Sequence, residues 1–396
     1  MTRARADPQP SEPSPRQVQI ATNASELFSA RGFHSVRMDD IANASGITAR
    51  ALYRHFVNKQ ALLSQVVLDD QQRVVDTLTR LNAKPADERT LDGNLAELAD
   101  VALEGRRLSL LWQREARHLD VDDFRKVRSR TRWISEQFGN LLVVPERSDL
   151  DAAATELRSW AVVSIVSSPA FYDSALSRQR LSQQLIAASK RVIASRAPKR
   201  VADSPAPAAL GRRLGSRREQ LMRAAAIAFR HKGFGGVTID DIGRDVGIVG
   251  AALYRYFENK ADILVAVVTR FDEWQALELN RAIHSPCADE AVLAEIIQGY
   301  IRVVTESTDF LAVSLTERLY LPPGISDRFD RIRSDYIGEW QRWLSAARPD
   351  LPEAVSSTRV NIAKTIIDDC VRIPHLQRAP NFSEDLLGLV LDALDC

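Results

Sequence analysis

The stretch ALYRHFVNKQALL at residues 51–63 returns as ALYRYFENKADIL at residues 252–264. Sliding the chain against itself by the same 201 residues extends the match in both directions. Between Arg16–Leu63 and Arg217–Leu264, 20 of 48 positions are identical with no gap, which is internal duplication. Phe28 pairs with Phe229, Gly32-Phe33 with Gly233-Phe234, Asp39-Asp40-Ile41 with Asp240-Asp241-Ile242, and Gly46-Ile47 with Gly247-Ile248. Beyond these blocks the identity fades.

Each copy reads as four helices. Ser14 before Pro15 is an N-cap followed by proline at the first helical position, and Ser216 with Glu219 has the spacing of a capping box. Apolar Ile20, Ala24, Leu27 and Phe28 recur at helical spacing until Gly32 stops the run. A second short helix carries Asp39 and Asp40, or Asp240 and Asp241, in its first turn, where the helix dipole favours them. Gly46 or Gly247 then makes a tight turn into a third helix, TARALYRHF or VGAALYRYF, whose Leu52 and Phe56 share one face. Asn58 or Asn259 caps a fourth helix that begins at Lys59 or Lys260.

The rest of each half, residues 64–195 and 265–396, is amphipathic at helical period with no sustained alternation, so the fold class is all-α. A polar, Pro-rich tail at 1–15 reads as disordered, and the Pro- and Ala-rich stretch 196–215 as a linker. The six segments are therefore 1–15, 16–63, 64–195, 196–215, 216–264 and 265–396.

With 45% hydrophobic and 27% charged residues the chain reads as soluble, and no apolar run is long enough to span a bilayer. Three cysteines without C-x-x-C spacing argue against a zinc or disulfide framework and fit a reducing cytoplasm. The net charge of +1 hides local asymmetry: from Arg196 to Lys260 there are 13 Lys and Arg against 6 Asp and Glu, an excess suited to a polyanion. No Gly-x-Ser-x-Gly, P-loop or His-Glu-x-x-His occurs, and GFGG at 233–236 follows a helix, so it reads as a turn. Neither enzyme activity, metal nor cofactor is expected.

Two short helices joined by a glycine turn, the second slim at its start and carrying Arg and Tyr, form a helix-turn-helix whose second member can enter a major groove. The pattern G-F-x-x-V-x-x-D-D-I-A followed by G-I-T-x-x-x-L-Y-R-H-F-x-N-K-x-x-L-L resembles the DNA-binding domain of the TetR family of transcriptional repressors, over about 48 residues in each half. The resemblance implies two TetR-like halves. Each would hold a helix-turn-helix domain and a helical ligand-binding and dimerisation domain, packed within one chain as a pseudo-dimer.

It implies base-facing positions at Thr48, Ala49, Arg50 and Arg54, and at Gly250, Ala251 and Arg255. It implies phosphate contacts at Arg37, Tyr53, His55 and Lys59, and at Thr238, Tyr254, Tyr256 and Lys260. The second copy departs from the pattern with Tyr256 in place of His and Val249 where the first copy has Thr48. The tract LLWQREARHL at 110–119 adds a narrower likeness to single-chain double-TetR repressors of actinobacterial mammalian-cell-entry, lipid-uptake operons.

The implied partners are a double-stranded DNA operator and a small effector, in that narrower group a fatty acyl or sterol derivative. Trp112, Glu115, His118, Trp160, Tyr300 and Glu317 are the candidate pocket residues. For the aromatic ones ordinary core packing competes, and for His118 a buried hydrogen-bonded role. Unequal segments TARALYRH and VGAALYRY in one polypeptide predict an asymmetric operator, whereas two identical chains would read a palindrome. The competing class is an architectural or protein-interaction helical protein without sequence-specific DNA binding.

Overall fold

A computed structural model of the chain describes residues 14–105, 109–196, 215–248 and 250–396, with the side chains of residues 109, 110, 113, 250 and 251 outside that description. The tail at 1–13, the linker at 197–214 and Val249 therefore lie outside the described residues. Among the described residues every regular element is helical.

The first half comprises α1 (Pro15–Arg31), α2 (Met38–Ala44), α3 (Ala49–Leu52), α4 (Lys59–Ala83), α5 (Leu91–Glu104), α6 (Ser109–Glu115), α7 (Val121–Phe138), α8 (Ala152–Ser167) and α9 (Arg178–Ala194). In the second half come α10 (Arg217–Lys232), α11 (Ile239–Asp245), α12 (Lys260–Ile283), α13 (Asp289–Glu306), α14 (Thr308–Thr316), α15 (Ile325–Ala347), α16 (Glu353–Cys370) and α17 (Phe382–Leu394).

The caps explain where these helices start. Ser14 and Gln17 form a reciprocal capping box on α1, while Asn58 accepts from the Ala61 amide and Asn259 from the Asp262 amide. At α10 only half of the expected box forms. Ser216 accepts from the Glu219 amide, but the Glu219 carboxylate turns to Arg270, 2.5 Å away. Helices α4 and α12 run on unbroken for 25 and 24 residues across positions 63 and 264, so each small domain continues into the large one without a break in the helix.

The halves meet through α8 and α9 packed on α16 and α17. Ala161, Val162 and Ile165 of α8 and Val360, Ala363 and Ile367 of α16 are completely buried, and each large side chain contributes about 1.5–3 kcal/mol. The duplication persists here as polar geometry. Arg147 pairs with Asp149 and donates to carbonyls at the end of α9, and Arg348, 201 residues on, pairs with Asp350 and donates to the Asp395 carbonyl after α17. Arg158 and Arg359 repeat the arrangement, donating to Ser195 O and Leu394 O. Cationic side chains on the last carbonyls of a helix satisfy groups that lack intrahelical partners.

The cores are unequal. Residues of α1–α4 enclose a separate core with Leu111, Ala116, Leu119 and Val127, whereas the core of α10–α12 is continuous with that of both large domains.

Candidate nucleic-acid interface

The turn before each third helix needs glycine. Gly46 and Gly247 have φ of 63° and 71°, and the amides that follow, Ile47 and Ile248, donate back to Ala42 O and Gly243 O. Thr48 accepts from the Ala51 amide at 3.2 Å and starts α3. The regular helix is shorter than the sequence suggests: α3 has four residues, and its counterpart, Gly250–Arg255, is a 3-10 helix. In the sequence position 249 is Val where the first copy has Thr48.

Leu52 and Phe56, with Leu253 and Phe257, are buried, which turns the intervening residues outward. Tyr53 is 52% exposed, Tyr254 53% and Tyr256 38%. Arg50, Arg54 and Arg255 are exposed beside them and make no hydrogen bond or ion pair with the described residues. Ala49 and His55 are half-buried, and Thr48 and Arg37 are exposed. Guanidinium and phenol groups held out on a slim element are free to donate to base edges and phosphates. Gly250 and Ala251 lie outside the described side chains. In the sequence Ala251 stands where the first copy has Arg50.

Three expected phosphate ligands are otherwise engaged. Lys59 Nζ donates to Phe33 O and Val36 O at 2.6 and 2.7 Å and lies 4.3 Å from the Phe33 ring centre. Lys260 repeats this on Phe234 O and Val237 O. Two of the three ammonium donors are thus spent bracing α4 or α12 against the loop after the first helix, and burial holds both ammonium groups below the usual lysine range. The Thr238 hydroxyl donates to Asp241 at 2.6 Å, a bond that draws the Asp241 carboxyl down to about 2. These residues brace the element next to them, and each ammonium keeps one further donor.

A buried polar junction ties the two small domains together. Helices α6 and α14 each end in a 3-10 turn, residues 116–118 and 318–320, preceded by a buried glutamate. Glu317 accepts from the Phe234 amide at 2.8 Å and from Thr316 Oγ1 at 2.7 Å, and ion-pairs with Arg117 of the other half. The Phe33 backbone faces Glu115 and favours its charged form. His118 stacks on Phe33 with centroids 5.2 Å apart, as Tyr320 stacks on Phe234 at 5.4 Å.

Each ring also crosses to the other domain. A Cβ on Gly32 would lie 2.5 Å from the Tyr320 hydroxyl, and one on Gly233 would lie 2.9 Å from His118 Cε1. Burial, then Arg117, lowers His118 to about 3, while burial raises Glu115, so their 3.5 Å contact is not a charged pair at neutral pH.

None of the six expected pocket residues lines either of two cavities of about 250 and 340 Å³. Glu115, His118 and Glu317 belong to the junction. Trp112 packs on the core of the first small domain and Trp160 on the large one, while Tyr300 is fully buried with its hydroxyl between Asp368 and Lys364. The cavities are lined instead by neighbours such as Arg114 and Arg318. The preceding or following residue on the same turn is the one that faces the space, a distinction of side-chain direction that periodicity alone does not resolve.

Among the described residues no helix is long and apolar enough to cross a membrane. The family model described as bacterial regulatory proteins, tetR family, matches residues 20–66 and again 221–267. The HTH-type transcriptional regulator UidR of Escherichia coli K12 is 39% identical over 64 residues, 16% of this chain and 33% of that protein. The HTH-type transcriptional repressor KstR2 of Mycolicibacterium smegmatis is 29% identical over 132 residues, 31% of this chain and 61% of the relative. The chain thus spans about a third of the length of the E. coli relative.

Among solved structures, the TetR family transcriptional regulator PfmR from Thermus thermophilus superposes with a TM-score of 0.40 at 18% identity, covering 45% of this chain and 97% of that one. KstR2 of Mycobacterium tuberculosis gives 0.41 at 19%, covering 46% and 95%. Two segments of the chain, residues 20–66 and 221–267, are thus each a domain of the tetR-family N-terminal type.

Proposed function

We propose that the chain is a ligand-responsive transcriptional repressor that places two unequal reading elements in neighbouring major grooves of an asymmetric operator. The observation that carries this reading is the pair of outward sets, Arg50, Tyr53 and Arg54 against Tyr254, Arg255 and Tyr256, held in one body by the Arg117–Glu317 contact. Arginines serve base edges or phosphates and tyrosines phosphates, with half-sites about one helical turn apart. A small effector with a largely apolar body would enter the cavity bounded by Phe271, Leu279, Leu311 and Ile332. Arg318 lines that cavity and sits on the same turn as Tyr320, next to Glu317, so an occupant acts on the junction through a single turn.

The test is binding to the DNA upstream of its own gene against random DNA at several salt concentrations. The proposal expects a preference of at least about 10³ and a steep loss with salt. Equal affinity for both DNAs would refute it.

A further inference from the structure

The larger of the two cavities carries more positive charge than the carboxylates on its own lining balance. The two share Leu315, Arg318, Arg333 and Lys364 as a common wall, and the larger one opens where Arg114 of the first half meets the second. Each carboxylate lining the larger cavity already has a cation. Asp330 faces Arg318 at 3.2 Å, Asp368 faces Lys364 at 2.6 Å, and Asp369 faces Arg372 at 2.5 Å. Arg114 and Arg333 are left over.

Arg114 spends one nitrogen on Ser29 O at 3.3 Å, and its nearest carboxylate oxygen, on Glu115, is 3.8 Å away. Its Nε and Nη2 are buried without a hydrogen-bond acceptor, as is Nε of Arg318. Arg333 makes no hydrogen bond or ion pair with the described residues. Buried guanidinium donors without acceptors are costly, and a carboxylate or phosphate is the group whose geometry matches their fork. Behind the shared wall the smaller cavity offers an apolar surface from Phe271, Leu279, Leu311 and Ile332, with Asp272, Asp335 and Glu339 also on its lining, so an anionic head is favoured on the arginine side and only an apolar tail on this one. Taken as a pair, the spaces fall within the usual range for a small-molecule site, about 300–1,000 Å³.

We propose that the cleft between the halves binds an anion-headed amphiphile, its head on Arg114, Arg318 and Arg333 and its tail in the apolar cavity. The site is composite, one per chain, because the head needs an arginine from each half. It rests on the effector reading above and adds the chemistry of the ligand. Arg114 adjoins Glu115 and Arg318 adjoins Glu317, so drawing both guanidinium groups toward one head tightens the turns that hold the two small domains.

Calorimetric titration of the full chain without DNA tests this, with decanoate, decyl phosphate and decan-1-ol as probes. At least one anionic probe should bind roughly tenfold or more tightly than the alcohol. Comparison of the two anions distinguishes a carboxylate head from a phosphate. Arg333→Gln, a half-buried residue without a partner to lose, should bring the anion down to the affinity of the alcohol and leave the alcohol unchanged. Equal binding of all three probes, no binding, or an anion preference that survives both Arg333→Gln and Arg114→Met overturns the proposal. Operator binding by the same preparation is read separately. A chain that holds its DNA but no anion overturns this inference alone, and one that holds the anion but no DNA overturns the repressor reading alone.

Discussion

Replacing Glu317 by Gln keeps the shape of the side chain and removes its charge. Glu317 is completely buried, and its partner Arg117 is 13% exposed in its side chain. Breaking one member of a buried ion pair costs about 3–5 kcal/mol, because the survivor is left as an unpaired charge in a poorly solvated place. Here the lower end applies. A Gln carbonyl can still accept from the Phe234 amide, and Arg117 keeps Thr316 Oγ1 at 3.1 Å.

The expected loss is about 3 kcal/mol, seen as a fall of several degrees in the thermal midpoint. The double variant Arg117→Met with Glu317→Gln should recover part of it, since it removes the stranded charge. On DNA the two-half-site operator should lose roughly tenfold in affinity while a single half-site duplex is bound as before, because only the spacing of the domains has loosened. Wild-type melting of Glu317→Gln, or equal losses on one half-site and on two, would refute the assignment of the junction as the element that sets that spacing.

Three other outcomes are expected. Because His118 is lowered to about 3 from 6.5, the unfolded chain takes up a proton below pH 6.5 that the folded chain refuses. Stability from this group is therefore complete above pH 6.5 and about 2 kcal/mol smaller at pH 5. Asp272, raised by burial to about 6, acts in the opposite sense, so the quantity to measure is the difference in denaturation between wild type and His118→Phe across that window; parallel curves would contradict it.

Gly233→Ala forces a side chain onto φ 72° and ψ 158° and against the His118 ring, and should cost about 1–3 kcal/mol in denaturant unfolding, with an unchanged midpoint as the adverse result. Arg54→Ala and Arg255→Ala should each lower operator affinity by about 1–3 kcal/mol and thin the footprint over different half-sites; loss over the same half-site would count against two separate readers.

Much of the fold was legible because its signals are local. The 201-residue repeat, the caps at Ser14, Asn58 and Asn259, and the glycine turns at 46 and 247 each depend on neighbours within a few positions. The carbonyl partners of Lys59 and Lys260 were not legible, for the opposite reason. An ammonium at a helix start can serve a phosphate or a carbonyl, and the carbonyls it finds, at Phe33 and Val36, come from a loop more than 20 residues earlier.

The junction was invisible since Arg117 and Glu317 are 200 residues apart and no local spacing links them. Its one sequence trace is the repetition of Glu-x-x-His-Leu at 115–119 as Glu-x-x-Tyr-Leu at 317–321, offset by 202 where the other repeats are offset by 201. The arginine clamps at 147, 158, 348 and 359 kept the 201 spacing but stood too isolated to be noticed.

The most direct test of the whole account is the mass of the protein–operator complex, measured by sedimentation alongside a footprint of both strands. One chain covering two different half-sites about a helical turn apart is the predicted result. Two chains arranged on a perfect inverted repeat would contradict it.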